Sequence, residues 1–306
     1  MPVVHETSIP PPGSTKSYPD CYSAVVDMQP ETMDGAITAL NIVLPTLYAL
    51  VWADYALLFF RNDPFAERSA THLLRFSMLA HALYLVLRTV AYQHFPAATV
   101  FEACSVLALS VIVLYSLIES RIGVRTTGFF VIGIVFFFQI VSSAFVQAPE
   151  SFSALLWDPV FMLHVSTALL GYSGMAISAM YGLLYLMLFY DIKEHRFGLI
   201  YKQLPSLEVM ASFTYRSAIL GLVFLTIAMV AGLLLLVKVY GTYWSWDPKL
   251  MITFIAWLIY GLCVAATRFW GWSAKRVAFT SIAGFAVILF SLVFVNLVFT
   301  RFHAFV

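Results

Sequence analysis

Residues 216–239 read RSAILGLVFLTIAMVAGLLLLVKV, and this stretch decides the fold. Its only charges, Arg216 and Lys238, stand near its two ends. A helix rising about 1.5 Å per residue crosses the roughly 30 Å hydrocarbon core of a bilayer in about 20 apolar residues. A membrane β-strand needs only about 10 residues and alternates in polarity, which this run does not. Backbone inside lipid must also satisfy its own hydrogen bonds, and a single segment does that as a helix.

The same pattern recurs outward from this stretch. Apolar runs lie near residues 36–60, 72–92, 100–119, 127–147, 160–190, 250–268 and 277–300. The expected fold is therefore all-α, a polytopic integral membrane bundle of about eight transmembrane helices. The run at 160–190 is longer than a bilayer needs and is expected to tilt or project beyond it.

Composition agrees. Of the 306 residues 61% are hydrophobic and 11% charged, with a mean hydropathy of +0.88. Soluble domains are about half apolar and about a quarter charged. These values exclude an ordinary soluble enzyme and a disordered chain. A net charge of +1, from 17 basic and 16 acidic residues, provides no field to collect polyanions, so no nucleic-acid partner is expected. Cys21, Cys104 and Cys263 are far apart and form no Cys-x-x-Cys, which argues against thiol redox chemistry and cysteine metal sites. No Gly-rich phosphate loop and no nucleophile elbow occurs. Nor are there paired broken helices of the kind that mark transporters.

Residues 1–34 differ from the rest. They are rich in Pro and Ser, and Lys16 stands against Glu6, Asp20, Asp27, Glu31 and Asp34. With no basic start leading into an apolar run, the segment is expected to be a flexible tail rather than a signal peptide. Basic residues set the orientation. Eight spans with the N-terminus outside place twelve Lys and Arg in inner loops and five outside. Both termini are therefore expected outside.

Ionisable groups inside spans are costly and are functional candidates by default. His81 is mid-span. Arg88, seven residues on, lies about 20° from the same helix face, so both are expected to point into the bundle. His72 is nine residues before His81 and faces the other way. For His81, a satisfied hydrogen-bonding role and a ligand role are both open. His164 sits five residues after Pro159, about one and a half turns into its span, in HVSTALLGYSG (164–174). Small residues on that helix mean close helix packing or room for a flat ligand. His303 follows the last span and returns to the same side.

The richest loop is YGTYWSWDPK, residues 240–249. Tyr240, Tyr243, Trp244 and Trp246 crowd into seven residues. An interfacial aromatic belt is one reading. A platform for a planar apolar ring system is the other, with histidines from neighbouring helix ends on its metal. Arg88 or Lys249 would then meet its acidic substituents. Trp157-Asp158-Pro159 echoes Trp246-Asp247-Pro248. In both, Asp suits a helix N-cap and Pro the first helical position.

At GTYWSWDPK the chain resembles the tryptophan-rich WWD motif of haem-handling cytochrome c assembly proteins of the CcsA type, from the system II pathway. His81 to Arg88, HFPAATVFEACS (94–105), HVSTALLGYSG, LPSLEVMASFTYRSAILG (204–221) and NLVFTRFHAF (296–305) extend the likeness over most of the chain. The resemblance implies a cytochrome c assembly domain over residues 35–306, with its WWD loop at 240–249. It implies haem of the b type, transiently held, with His164 and His303 as axial iron ligands. Trp244, Trp246, Asp247 and Tyr243 would build the loop site, and His81 and Arg88 match family positions and are expected with them among the cofactor-binding residues. It implies work with a CcsB-like membrane partner, as part of a holocytochrome c synthetase complex, on apocytochrome c at the outer face of a bacterial inner membrane. The pattern is broken at Ala265, where the family has an intramembrane histidine, and at Leu250, Val237, Lys238 and Tyr240. These departures leave a second reading, a repurposed regulator or scaffold that keeps the fold and no longer delivers haem.

Overall fold

The computed structural model describes residues 30–146, 154–244 and 246–292. Among these residues the chain forms nine α-helices and one short 3-10 turn. They are α1 (Pro30–Arg61), α2 (Pro64–Tyr92), α3 (Val100–Ile122), α4 (Gly128–Phe145), α5 (Pro159–Lys193), α6 (Leu199–Gln203), α7 (Leu207–Tyr240), α8 (Pro248–Trp270) and α9 (Ala274–Phe290). Seven helices, α1 to α5, α7 and α8, are long and apolar enough to cross a membrane. The chain is an integral membrane helical bundle. For the eighth expected run, the structure describes α9 up to Phe290, and residues 293–300 lie outside the described residues. The tail expected at 1–34 lies outside them up to residue 29, and α1 already begins at Pro30.

Helix starts follow local chemistry. Asp63, Asp158 and Asp247 each precede a proline at the first helical position, and each carboxylate accepts from backbone N–H groups of the first turn. The Asp63-Pro64 start has no tryptophan before it, so the Asp-Pro unit is a general helix-start device in this chain. Thr99 and Glu102 form a reciprocal capping box at the start of α3.

α5 has 35 residues, as its apolar run foretold, and α7 has 34. Each exceeds the span of a bilayer core by about 20 Å. Ser206 caps α7 at Leu207, so Arg216, which begins the apolar run at 216–239, stands well inside a helix.

Two helix groups pack side by side. In α1 to α4, polar side chains stitch the interior. Tyr48 Oη lies 2.8 Å from His81 Nδ1, and His81 Nε2 lies 2.9 Å from Ser105 Oγ. Ser105 donates to Gln139 at 3.2 Å, and Gln139 donates to Ser143 Oγ at 3.0 Å. Asn41 donates to the Ser143 carbonyl at 3.1 Å and accepts from Tyr84 at 3.1 Å. This chain of contacts touches all four helices. In lipid there is no hydrophobic drive between helices, so hydrogen bonds and close packing hold them.

The second group uses close packing instead. α5 is its axis, against α7, α9 and, across the group boundary, α3. A Cβ added to Gly174 would lie 2.8 Å from the Gly221 backbone nitrogen, and one on Gly221 would lie 3.0 Å from the Gly171 carbonyl oxygen. The α5 and α7 backbones therefore touch. Tyr260 of α8 donates to backbone carbonyls of α5 and α9, Met175 at 3.2 Å and Ser281 at 2.8 Å. Outward-facing Ile42, Leu79, Phe76, Leu234 and Leu262 are all exposed, as a lipid-facing surface requires.

Candidate functional site

The aromatic loop begins where α7 stops. Gly241 takes a left-handed φ of 65° and its N–H caps the Val237 carbonyl at 2.9 Å. This conformation suits glycine. Thr242 Oγ1 accepts from the Trp244 N–H and donates to the Trp244 carbonyl, which folds the strand of loop back on itself. Trp244 and Trp246 meet edge to face with ring centroids 5.4 Å apart. Tyr243, Trp244 and Trp246 are 74%, 54% and 79% exposed, so the loop presents its rings outward rather than burying them. Asp247 is the exception. It is buried, its carboxylate accepts from the Lys249 N–H at 2.8 Å, and its carbonyl accepts from Met251 N–H at 3.1 Å. Asp247 therefore sets the loop's end and the direction of α8.

His164 lies half-buried on α5, against α7. Its Nδ1 lies 2.8 Å from the Ala228 carbonyl oxygen, which can only accept, so Nδ1 carries the proton. The neutral ring then has its lone pair on Nε2. Gly232 leaves the space the ring occupies, since a Cβ there would lie 2.8 Å from both Cε1 and Nδ1 of the imidazole. Metal-ligating histidines are commonly oriented this way, with one ring N–H fixed by a backbone carbonyl. The residue types and the orientation fit an axial ligand.

Other contacts gather helix ends around this point. Lys238 of α7 pairs with Asp158 at the start of α5. Its hydrogen bond, followed by those from the Val160 and Phe161 N–H groups, holds the Asp158 carboxyl below the usual range. Trp157 donates to the Gln93 carbonyl at 2.6 Å and so ties the α2–α3 turn to the same end of the bundle. Thus the start of α5, the end of α7, the aromatic loop and the α2–α3 turn share one end.

The remaining expected residues fall elsewhere or outside. His303 lies outside the described residues. His81 is fully buried and both its ring nitrogens have protein partners, in the interior network of α1 to α4. Arg88 is 3% exposed and pairs with Glu102 at 2.7 Å, with the Tyr92 ring 4.9 Å from its guanidinium carbon. His94 is buried beside them, 2.7 Å from the Phe95 carbonyl and 3.5 Å from Glu102. His72 and His195 are exposed. Among the described residues no group of three His, Cys, Asp or Glu side chains gathers to hold a metal ion.

Sequence reading missed two buried carboxylates. Glu102 takes Arg88 and also accepts from the Ala98 N–H at 2.9 Å. Glu119 accepts from Tyr55 at 2.6 Å and Thr71 at 2.7 Å. The Thr99-x-x-Glu102 spacing was a readable signal for the first. Glu119 had none, because its partners are 64 and 48 residues away.

Comparison with known proteins gives one consistent result. The family described as "Cytochrome C assembly protein" matches residues 72–303. A "Cytochrome c biogenesis protein CcsA" of Heterosigma akashiwo is 27% identical over 240 residues, covering 67% of this chain and 74% of that protein. A protein of the same name from Synechococcus elongatus is 24% identical over 319 residues, covering 90% and 96%. Among solved structures, "Cytochrome c Heme Lyase CcmF" superposes with a TM-score of 0.63 at 18% identity. The match covers 92% of this chain and 48% of that one, so this chain spans about half its length and shares its fold.

Proposed function

This chain is a divergent, CcsA-type member of the cytochrome C assembly protein family, and on that premise we propose that it handles haem in c-type cytochrome biogenesis. One observation carries the reading. His164 is held by the Ala228 carbonyl with its lone pair on Nε2, at the end of the bundle that bears the exposed Tyr243, Trp244 and Trp246.

In this reading haem is cargo, not a resident group. The exposed rings form a shelf for its flat apolar face. His164 and His303 take the iron as a bis-imidazole pair, a normal axial set for b-type haem. Asp247 holds the shelf in place through its N-cap bonds rather than by touching haem. His81 and Arg88, both engaged inside α1 to α4, serve the scaffold. Attachment then needs no nucleophile from this chain. Each client thiol adds across a haem vinyl, its sulfur bonding one carbon and its proton going to the other. The chain's part is positioning.

In this reading the aromatic loop and both termini lie outside a bacterial inner membrane, and the excess of Lys and Arg on the opposite side supports that orientation. Apocytochrome c is the client, and a CcsB-like membrane protein is the partner. Together they form a holocytochrome c synthetase complex. The assembly domain covers 35–306, and 1–34 is the outer tail.

The test is an absorption spectrum of the purified chain, with and without reductant. A Soret band that disappears in His164→Ala, and returns with added imidazole, supports the proposal. Normal haem content in both His164→Ala and His303→Ala would sink it. Ala265, at the family's intramembrane histidine position, favours one second reading: a scaffold that keeps the fold without delivering haem. Restored cytochrome c maturation in a suitable deletion strain decides against that reading.

A further inference from the structure

At the end of the bundle away from the aromatic loop, an open groove of about 340 Å³ runs between α3 and α7 over α5. Leu117 of α3 and Leu220 of α7 form its walls, and Ile177 and Gly174 of α5 its floor. At Gly174 the α5 backbone meets that of α7, which closes the floor on that side. Its lining is apolar except for Ser217 and two arginines, Arg121 and Arg216.

The two guanidiniums are the unusual feature. Both side chains are exposed, and neither forms an ion pair among the described residues. Glu119, two residues from Arg121, is turned toward α1 and α2, where Tyr55 and Thr71 occupy both its oxygens. Arg216 also stands inside α7 rather than in a loop, next to the apolar wall. An apolar trough with two cations at its end complements a molecule that is apolar along its length and anionic at its head. No residue lining the groove is His, Met, Cys, Tyr or Lys, so none suits haem iron.

We propose that this groove binds a phospholipid with an anionic headgroup, one acyl chain along Leu117, Ile177 and Leu220 and the phosphate between Arg121 and Arg216. Basic pockets between transmembrane helices bind anionic lipid heads in this way. The site is remote from the aromatic loop and does not depend on the haem reading.

The test is native mass spectrometry of the full chain in neutral detergent, titrated with phosphatidylglycerol or phosphatidylcholine. The expected result is selective retention of phosphatidylglycerol. Arg121→Gln with Arg216→Gln should weaken it about fivefold per arginine, about 25-fold for the pair. Leu220→Trp, which fills the trough and keeps both charges, should weaken it as well. Arg268→Gln with Arg276→Gln, exposed at the same end but outside the groove, should leave it unchanged. Equal binding of the two lipids, wild-type affinity in the Arg121/Arg216 pair, or equal loss in the Arg268/Arg276 pair would each overturn the proposal. So would displacement of phosphatidylglycerol by added haem.

Discussion

His164 on α5 donates its Nδ1 hydrogen to the carbonyl oxygen of Ala228 on α7, 2.8 Å away, so two helices separated by a long stretch of chain jointly fix one imidazole. The acceptor is a backbone atom and cannot be deleted by mutation. The space for the ring can. Gly232→Ala would put a Cβ 2.8 Å from the imidazole and turn it. Loss of such outer support typically costs 10- to 100-fold in metal affinity. Haem titration followed at the Soret band should show a loss of that order for Gly232→Ala, with the α-helical circular dichroism spectrum retained.

His81 separates the scaffold and ligand roles. Both its nitrogens are bonded within α1 to α4. His81→Ala should leave Tyr48 and Ser105 without this partner and lower stability by about 1–3 kcal/mol. The haem-to-protein ratio should stay unchanged. Thermal unfolding in detergent and pyridine haemochrome assay measure the two quantities.

The buried Arg88–Glu102 pair makes a larger prediction. Removing one partner of a buried pair leaves an uncompensated charge and costs about 3–5 kcal/mol. Glu102→Ala also removes a cap on the start of α3. It should be the most destabilising of these variants, with Glu102→Gln milder because the amide still accepts hydrogen bonds. Comparative thermal unfolding of the two checks the order.

The α5–α7 contact tolerates no added side chain. Gly174→Leu places carbon atoms where the Gly221 backbone already lies 2.8 Å from an added Cβ. Backbone cannot step aside as a side chain can, so the helices must separate, at about 1–3 kcal/mol or more. Because that separation moves Ala228 relative to His164, haem retention should fall with stability. Ser173→Ala, a small-to-small change on the same helix, should leave retention unchanged.

The Asp158–Lys238 pair predicts an acid limb. Asp158 is held below its usual range, first by the Lys238 hydrogen bond. A carboxyl with a depressed folded pKa stabilises fully above its unfolded value, and that stability is lost as pH falls through the folded one. Melting temperature should therefore fall on acidification below about pH 4, and Asp158→Asn should flatten that part of the profile. The pair is partly exposed, so added salt should shrink the effect.

The sequence determined the fold class, because apolar length is a local property and lipid leaves a backbone few options. The run at 216–239 had to be a membrane helix, and Asp-Pro and Thr-x-x-Glu spacings marked where helices start. It also singled out the aromatic loop and the histidines, since such residues are rare in so apolar a chain. It could not tell their roles apart. His81 and His164 look alike in sequence, each a histidine in an apolar span. Only the tertiary structure shows one bonded at both ring nitrogens by Tyr48 and Ser105, and the other with its Nδ1 on the Ala228 carbonyl beside Gly232. The same holds for Arg88, whose partner Glu102 comes from the next helix, and for Arg121 and Arg216, brought to one groove from α3 and α7. The reason is physical. Whether a polar group inside a membrane is a ligand or a strut depends on which partners reach it, and those partners arrive from distant parts of the chain once the helices have packed.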